Sequence, residues 1–183
     1  MSFNLSNIAD YANNKIDVSN LNKATYISTE NMLPNKMGVT YATKLPNTKT
    51  TNEFKQGDVL VSNIRPYFKK IWHATFDGGC SNDVLVFRAK DGVCPKFVYY
   101  VLADDDFFQY AMATSKGTKM PRGDKNLIME YLVPDIDYTI QQKIASILSS
   151  IDDKIELNNQ INDNLEPAKI VKADFQNQRL EVA

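Results

Sequence analysis

GDVLVSNIRPYFKKIWHATFDGGCSNDVLVFR, running from Gly57 to Arg88, is the stretch on which the reading of this chain turns. Two apolar runs, Val59-Leu60-Val61 and Val84-Leu85-Val86-Phe87, have the β-branched and aromatic character of buried strands. Gln56-Gly57-Asp58 signals a turn before the first run, and Asp91-Gly92 closes the unit after the second. Between the runs, cations alternate with rings: Arg65, Tyr67, Phe68, Lys69, Lys70, Trp72 and His73. Pro66 fixes its own φ and pushes Arg65 towards extended backbone, which predicts a turn or strand edge there. Gly78-Gly79 predicts a tight reversal before the second run. The alternation fits a surface that meets a polyanion carrying flat rings, because Lys and Arg neutralise phosphates while aromatic planes stack on bases or sugars. It also fits an ordinary amphipathic hairpin with Phe68, Ile71 and Trp72 in the core and the cations as a solvated rim.

On the N-terminal side, Leu5, Ile8 and Tyr11 fall at helical spacing and predict a short helix over Ser6–Asn13. Ala24–Ser28 reads as a strand, and the Asn, Thr, Lys and Pro of Asn31–Thr51 read as loop. Lys36, Lys44 and Lys49 in that loop suit phosphate contacts or plain solvation equally. On the C-terminal side, Pro95 opens a predicted amphipathic helix through about Ala113, with Phe97, Tyr100, Val101, Phe107, Phe108 and Ala111 as core and Asp104-Asp105-Asp106 as a solvated turn. A second loop follows, Ser115–Lys125, in which Lys116, Lys119, Arg122 and Lys125 face a single acid, Asp124. Gly117, Pro121 and Gly123 keep it irregular, and its amides, Thr118 and cations suit either a phosphate or open solvent. Leu127–Val133 predicts a short helix or turn feeding a strand that Pro134 ends. Mixed strands and helices in this order predict an α+β fold.

From Tyr138 the period changes. Ile140, Ile144, Ile147, Leu148, Ile151, Ile155, Ile161 and Leu165 recur at three and four with polar residues between them, which predicts a long amphipathic helix. Its apolar stripe is narrow, as suits a partner helix, and Asn158 and Asn162 fall near it, where a buried amide sets register. Pro167 predicts a kink or stop near Leu165. The expected organisation is a globular domain over 1–137, a coiled-coil-type helix over 138–166 and a tail over 167–183.

The chain of 183 residues is 43% hydrophobic with a formal net charge of −1, enough for one core plus an appendage and without a global basic signature. Local patches decide nucleic-acid binding, and the acids are expected to fall largely elsewhere, at Asp104-Asp105-Asp106 and at Asp152, Asp153 and Glu156. Cys80 and Cys94 form no CxxC, so no structural zinc site is expected. Two free thiols fit a reducing compartment, with a disulfide left open by sequence. The opening MSFNLSNIADYANNKID is too polar for a secretory signal and no apolar run approaches a membrane span, so a cytoplasmic chain with no membrane association is expected. There is no GxxxxGK[ST] phosphate loop, no GxGxxG and no Asn/Asp-Pro-Pro-aromatic tetrad of the kind that amino-methyltransferases carry. Pro134-Asp135 with Asp152-Asp153-Lys154 imitates a nuclease metal motif, but the second part lies within a predicted helix and reads as its solvated face. His73 has no identifiable catalytic partner. No catalytic residue, metal or cofactor is expected.

Three runs together carry a family resemblance: NIRPYFKKIWHATFDGGCSNDVLVF, then SKGTKMPRGDKNLIMEYLVPDID, then QQKIASILSSIDDKIELNNQINDNLE. In that order, spanning about Gly57 to Glu166, they resemble the specificity subunit of type I restriction-modification systems. The first two resemble its target recognition domain and the third the start of its helical region. The resemblance implies a non-catalytic subunit that binds double-stranded DNA and carries methyltransferase (modification) subunits to it. It makes Arg65, Lys69 and Lys70 candidates for phosphates or guanine edges with Tyr67 and Trp72 beside them, and Lys116, Thr118, Lys119 and Arg122 a second contact loop. A full subunit carries two recognition domains and two helices, whereas one of each is present here. The expectation is therefore a half-subunit that pairs with a copy of itself through Ile144, Ile147, Leu148, Ile151, Ile155, Asn158, Ile161 and Leu165 to read a bipartite site. The rival is an orphan or truncated interaction module that no longer binds DNA. The tail after Pro167 departs from the aromatic-rich ending usual in the family.

Overall fold

The architecture was obtained as a computed structural model that describes residues 2–180, with side chains through residue 162. Its centre is β6 (Val59–Ser62), all four residues of which are buried. β6 pairs antiparallel with β7 (Ile71–His73) on one side and with β9 (Val84–Ala89) on the other, and β9 pairs with β2 (Ala9–Tyr11), giving the order β2-β9-β6-β7. Successive side chains of a strand point to opposite faces, so the apolar runs of the sequence are divided between two cores. Val59, Val61, Ile71, Leu85 and Phe87 face one apolar layer, while Leu60, Val84 and Val86 face another, with Trp72 packed against it. A strand buried on both faces has no polar alternate, which is why these runs are continuously apolar.

The first layer is covered by α1 (Pro95–Ala103) and α2 (Asp105–Ala113), which contribute Phe97, Val98, Leu102, Phe107, Phe108 and Ala111. The single helix expected from Pro95 to Ala113 is in fact broken at Asp104, whose extended backbone and carboxylate, accepting from the Asp106 amide, start α2 afresh. The second layer includes a second sheet of β3 (Lys15–Asp17), β5 (Thr50–Phe54), β8 (Gly78–Cys80) and β4 (Tyr26–Ile27), in the order β3-β5-β8-β4, with β4 and β8 parallel. Gly78 and Gly79, expected at a reversal, lie within β8. A methyl group on Gly78 would collide with the Thr25 carbonyl and stand 2.7 Å from the Phe54 ring; one on Gly79 would stand 2.5 Å from Leu21. They are glycines because neighbouring chain approaches too closely for any side chain.

The helix expected over Ser6–Asn13 does not form. A single 3-10 turn, Leu5–Asn7, leads directly into β2, whose backbone completes the edge of β9. So short a segment cannot repay helix nucleation, and sheet pairing with Tyr11 packed on Phe87 at 5.0 Å prevails. β1 (Ser2–Asn4) pairs with β10 (Leu132–Pro134), and the short helix α3 (Lys125–Ile128) precedes β10 as expected.

α4 spans Tyr138–Leu180, past Pro167 and so longer than the expected end near Leu165. The chain divides into two compact units, Met1–Ala145 and Ser146–Ala183. The opening turns of α4 belong to the first. Gln141 is buried, accepting from the Cys94 amide and donating to the Ile136 carbonyl, Ala145 is buried, and Ile144 packs on the core. Ile144 is therefore occupied within the globular unit rather than presented to a partner helix. In the second unit Ile147, Ile151, Ile155, Asn158 and Ile161 are exposed and Leu148 is half-buried; the side chain of Leu165 lies outside the described residues. Among the described residues, no helix is long and apolar enough to cross a membrane. Cys80 is buried and Cys94 half-buried, and both are free.

Candidate nucleic-acid interface

β6 ends at Ser62, and the chain then makes a 3-10 turn, Pro66–Phe68, before re-entering the sheet as β7. Arg65, on the N-terminal side of this turn, has φ 51° and Lys69, on its C-terminal side, φ 50°. Arg65 is thus left-handed rather than extended. Left-handed backbone costs a non-glycine residue about 1–2 kcal/mol, and here it is held twice within five positions.

Two neighbouring loops hold it. The Arg65 amide donates to the Pro121 carbonyl at 2.8 Å, Ile64 is bridged to Arg122, and the Gly123 amide reaches the Asn63 carbonyl at 3.4 Å. Arg122 is in turn bridged to Lys116 by a reciprocal pair of amide hydrogen bonds of 2.9 and 3.0 Å, which makes the loop between them a small hairpin. From the other side, the Asn35 amide donates to the Phe68 carbonyl at 2.8 Å and the Lys36 amide to the Lys69 carbonyl at 2.9 Å. Three loops, near 34–38, 63–70 and 115–124, are therefore bound together through their main chains. Arg65 and Arg122, 57 positions apart in sequence, meet in one ladder.

Exposed on this frame are Tyr67, its ring centroid 4.7 Å from that of Phe68, together with Phe68 itself, Met37 and Met120. Thr118, Lys119 and Lys116 stand exposed on the second loop. Five cations of these loops have a definite partner. Lys36 and Lys69 both donate to Asp105, the first residue of α2, at 2.7 Å each, and together they hold its carboxyl down at about pKa 2. Lys116 pairs with Asp124 at 2.7 Å and Arg122 with Asp83 at 3.0 Å. Lys70 donates to the Thr29 carbonyl at 2.6 Å, and burial lowers its pKa. Arg65 Nε is buried with no partner among the described residues.

The structure thus gathers Arg65, Tyr67, Lys69, Lys70, Lys116, Thr118, Lys119 and Arg122 around one set of loops and adds Lys36. It separates Trp72, whose indole packs edge-on against Phe54 at 5.7 Å and beside Phe76 in the second core. Phe68 takes the exposed place instead. His73 is also turned inward, edge-on to Tyr99. Burial first, with Lys96 adding, drops its pKa to about 4. Asp105 and Asp83 were the residues that sequence reasoning missed. Asp105 sat in a run that reads as a solvated turn of helix, and neither acid has a cation near it in sequence to mark its role.

A family model described as "Type I restriction modification DNA specificity domain" matches residues 1–167. The chain belongs to the type I restriction-modification DNA specificity family. It is 27% identical over 175 residues to the HindI specificity subunit of Haemophilus influenzae, covering 90% of this chain and 38% of the relative. To the EcoDI specificity subunit of Escherichia coli it is 30% identical over 98 residues, 54% of this chain and 22% of the relative. The chain therefore spans well under half the length of these relatives. Among solved structures, the fold is similar to the HsdS subunit from Thermoanaerobacter tengcongensis, with a TM-score of 0.62 at 16% identity, over 90% of this chain and 45% of that one. It is similar also to the type I restriction-modification system S subunit from M. genitalium, with a TM-score of 0.58 at 17% identity, over 85% of this chain and 40% of that one.

Proposed function

We propose that this chain recognises one half of a bipartite DNA sequence through the three clasped loops, and that it carries methyltransferase subunits to the site without catalysing a step itself. The observation that supports this reading is the convergence of Lys36, Arg65, Lys69, Lys70, Lys116, Lys119 and Arg122 with two exposed rings on one main-chain frame. In this reading Lys119, Arg122 and the other cations meet phosphates, Tyr67 and Phe68 stack on a base or sugar, and Arg65 reaches a base edge. The exposed isoleucines Ile147, Ile151, Ile155 and Ile161 pair with the same helix of a second copy, so that a two-fold dimer reads two half-sites.

The test is selection of bound sequences from random duplexes, with and without a methyltransferase subunit. Enrichment of a site with two separated elements is the expected outcome. Retention on duplex DNA or heparin that does not change with salt would instead favour the interaction module that has lost DNA binding.

A further inference from the structure

The cations of the clasped loops are largely spoken for before any ligand arrives. Asp105 takes Lys36 and Lys69, Asp124 takes Lys116, and Asp83 takes Arg122, all at 2.7–3.0 Å. Three carboxylates meet four cations. The acids come from three separate places: the start of α2, the start of α3 and the turn before β9. Asp105 joins two different loops, since Lys36 and Lys69 are 33 positions apart.

We propose that Asp105 and Asp83 are specificity-determining residues that occupy the phosphate-binding cations of this face, so that duplex DNA must displace a carboxylate to gain each contact. This rests on the DNA-binding reading above. Random-sequence DNA offers only phosphates, and exchanging one exposed ion pair for another yields almost no net free energy. The freed carboxylate also gathers cations from solution, so the net release of ions is smaller than for an unpaired lysine, and both affinity and salt dependence of non-specific binding are held down. A cognate sequence adds base-edge contacts that the carboxylates do not contest, and the gap between cognate and random DNA widens.

An alternative role for Asp105 is purely structural: a tie that keeps the two loops in place. The two roles predict opposite signs. If Asp105 is only a tie, removing its charge loosens the loops and weakens binding. If it restrains Lys36 and Lys69, removing its charge strengthens binding to random DNA. Asp124 cannot separate the two, since it also accepts from the Asn126 and Leu127 amides at the start of α3.

The experiment measures the full-length chain and its Asp105→Asn and Asp83→Asn variants on random-sequence duplex and on heparin across a salt series, with thermal melting in parallel. Asp135→Asn, an exposed acid outside the clasped loops, controls for net charge. The expected result for Asp105→Asn is a non-specific affinity higher by about tenfold at low salt and a log–log salt slope steeper by roughly one to two, as befits two released lysines. Asp83→Asn gives about half that change in slope, and Asp135→Asn leaves the slope as it was. Unchanged or weaker binding by both variants, in a wild-type chain that itself binds with a salt slope, overturns the restraint and leaves the DNA-binding reading intact. Failure of wild type and variants alike to bind either polyanion removes both. Should Asp105→Asn melt far below the wild type, Asp83→Asn decides, because its loss touches no second loop.

Discussion

Gly78 shows what a single residue contributes that its neighbours in sequence do not disclose. A glycine pair reads as a turn, but its use here is to let the Thr25 carbonyl and the Phe54 ring press against β8. Gly78→Ala overpacks that contact and is expected to cost about 2–3 kcal/mol, measured as a lower urea midpoint with an unchanged slope. The fact was illegible in the sequence because the collision is with the Thr25 carbonyl, 53 positions away and just before β4: nothing around Gly78 mentions it. Arg65 is similar. A proline after it biases its backbone towards extended, and the left-handed geometry is held by contacts distant in sequence, among them the hydrogen bond from its amide to the Pro121 carbonyl. His73 gives a prediction in pH. Its pKa falls from an ordinary 6.5 to about 4 on folding, so the unfolded chain takes up the proton first as pH drops. The native state is fully favoured by this residue above pH 6.5 and loses that advantage progressively down to about pH 4. Melting temperature across that window should decline in the wild type and decline less in His73→Gln.

At the scale of elements, legibility followed burial. Val59–Val61 and Val84–Phe87 were plain in the sequence because both faces are buried along these two runs and every residue in them is apolar. The short β2 and β3 were not, since three residues held by partners on other strands carry too little pattern of their own, whereas β4 lies inside the strand read over Ala24–Ser28. The break at Asp104 was legible in principle, as an aspartate followed by two more acids is a helix start, but the apolar face continues across it and masks the restart. α4 was the clearest element of all, and its first turns hold a detail that periodicity does not give: Gln141 and Ile144 belong to the globular unit. Beyond the globular unit the exposed stripe begins at Ile147. Each isoleucine buried by a partner gains roughly 1.5–3 kcal/mol, so Ile151→Lys is expected to convert a dimer to a monomer in sedimentation velocity. A wild-type chain that already sediments as a monomer at micromolar concentration removes the pairing.

For the whole molecule, the candidate face was half visible beforehand. Two cation-rich loops stood out by composition, but that Ile64 and Arg122 share a ladder is a property of the fold, and so are the recruitment of Lys36 and the withdrawal of Trp72. Two substitutions separate the parts played by charge and ring. Lys119→Gln should weaken binding to all duplexes alike and lower the salt slope by roughly one. Tyr67→Ala should cost about 1–3 kcal/mol with the slope unchanged, both followed by fluorescence anisotropy over a salt series. The clasp has a bearing on how such a protein changes its target. Main-chain amides and carbonyls set where the loops lie, so replacing the side chains at 67, 68, 118 or 119 is expected to leave their scaffold standing. If those side chains read DNA as proposed, a lineage, or a designer, can retarget the protein by a handful of point exchanges without refolding it.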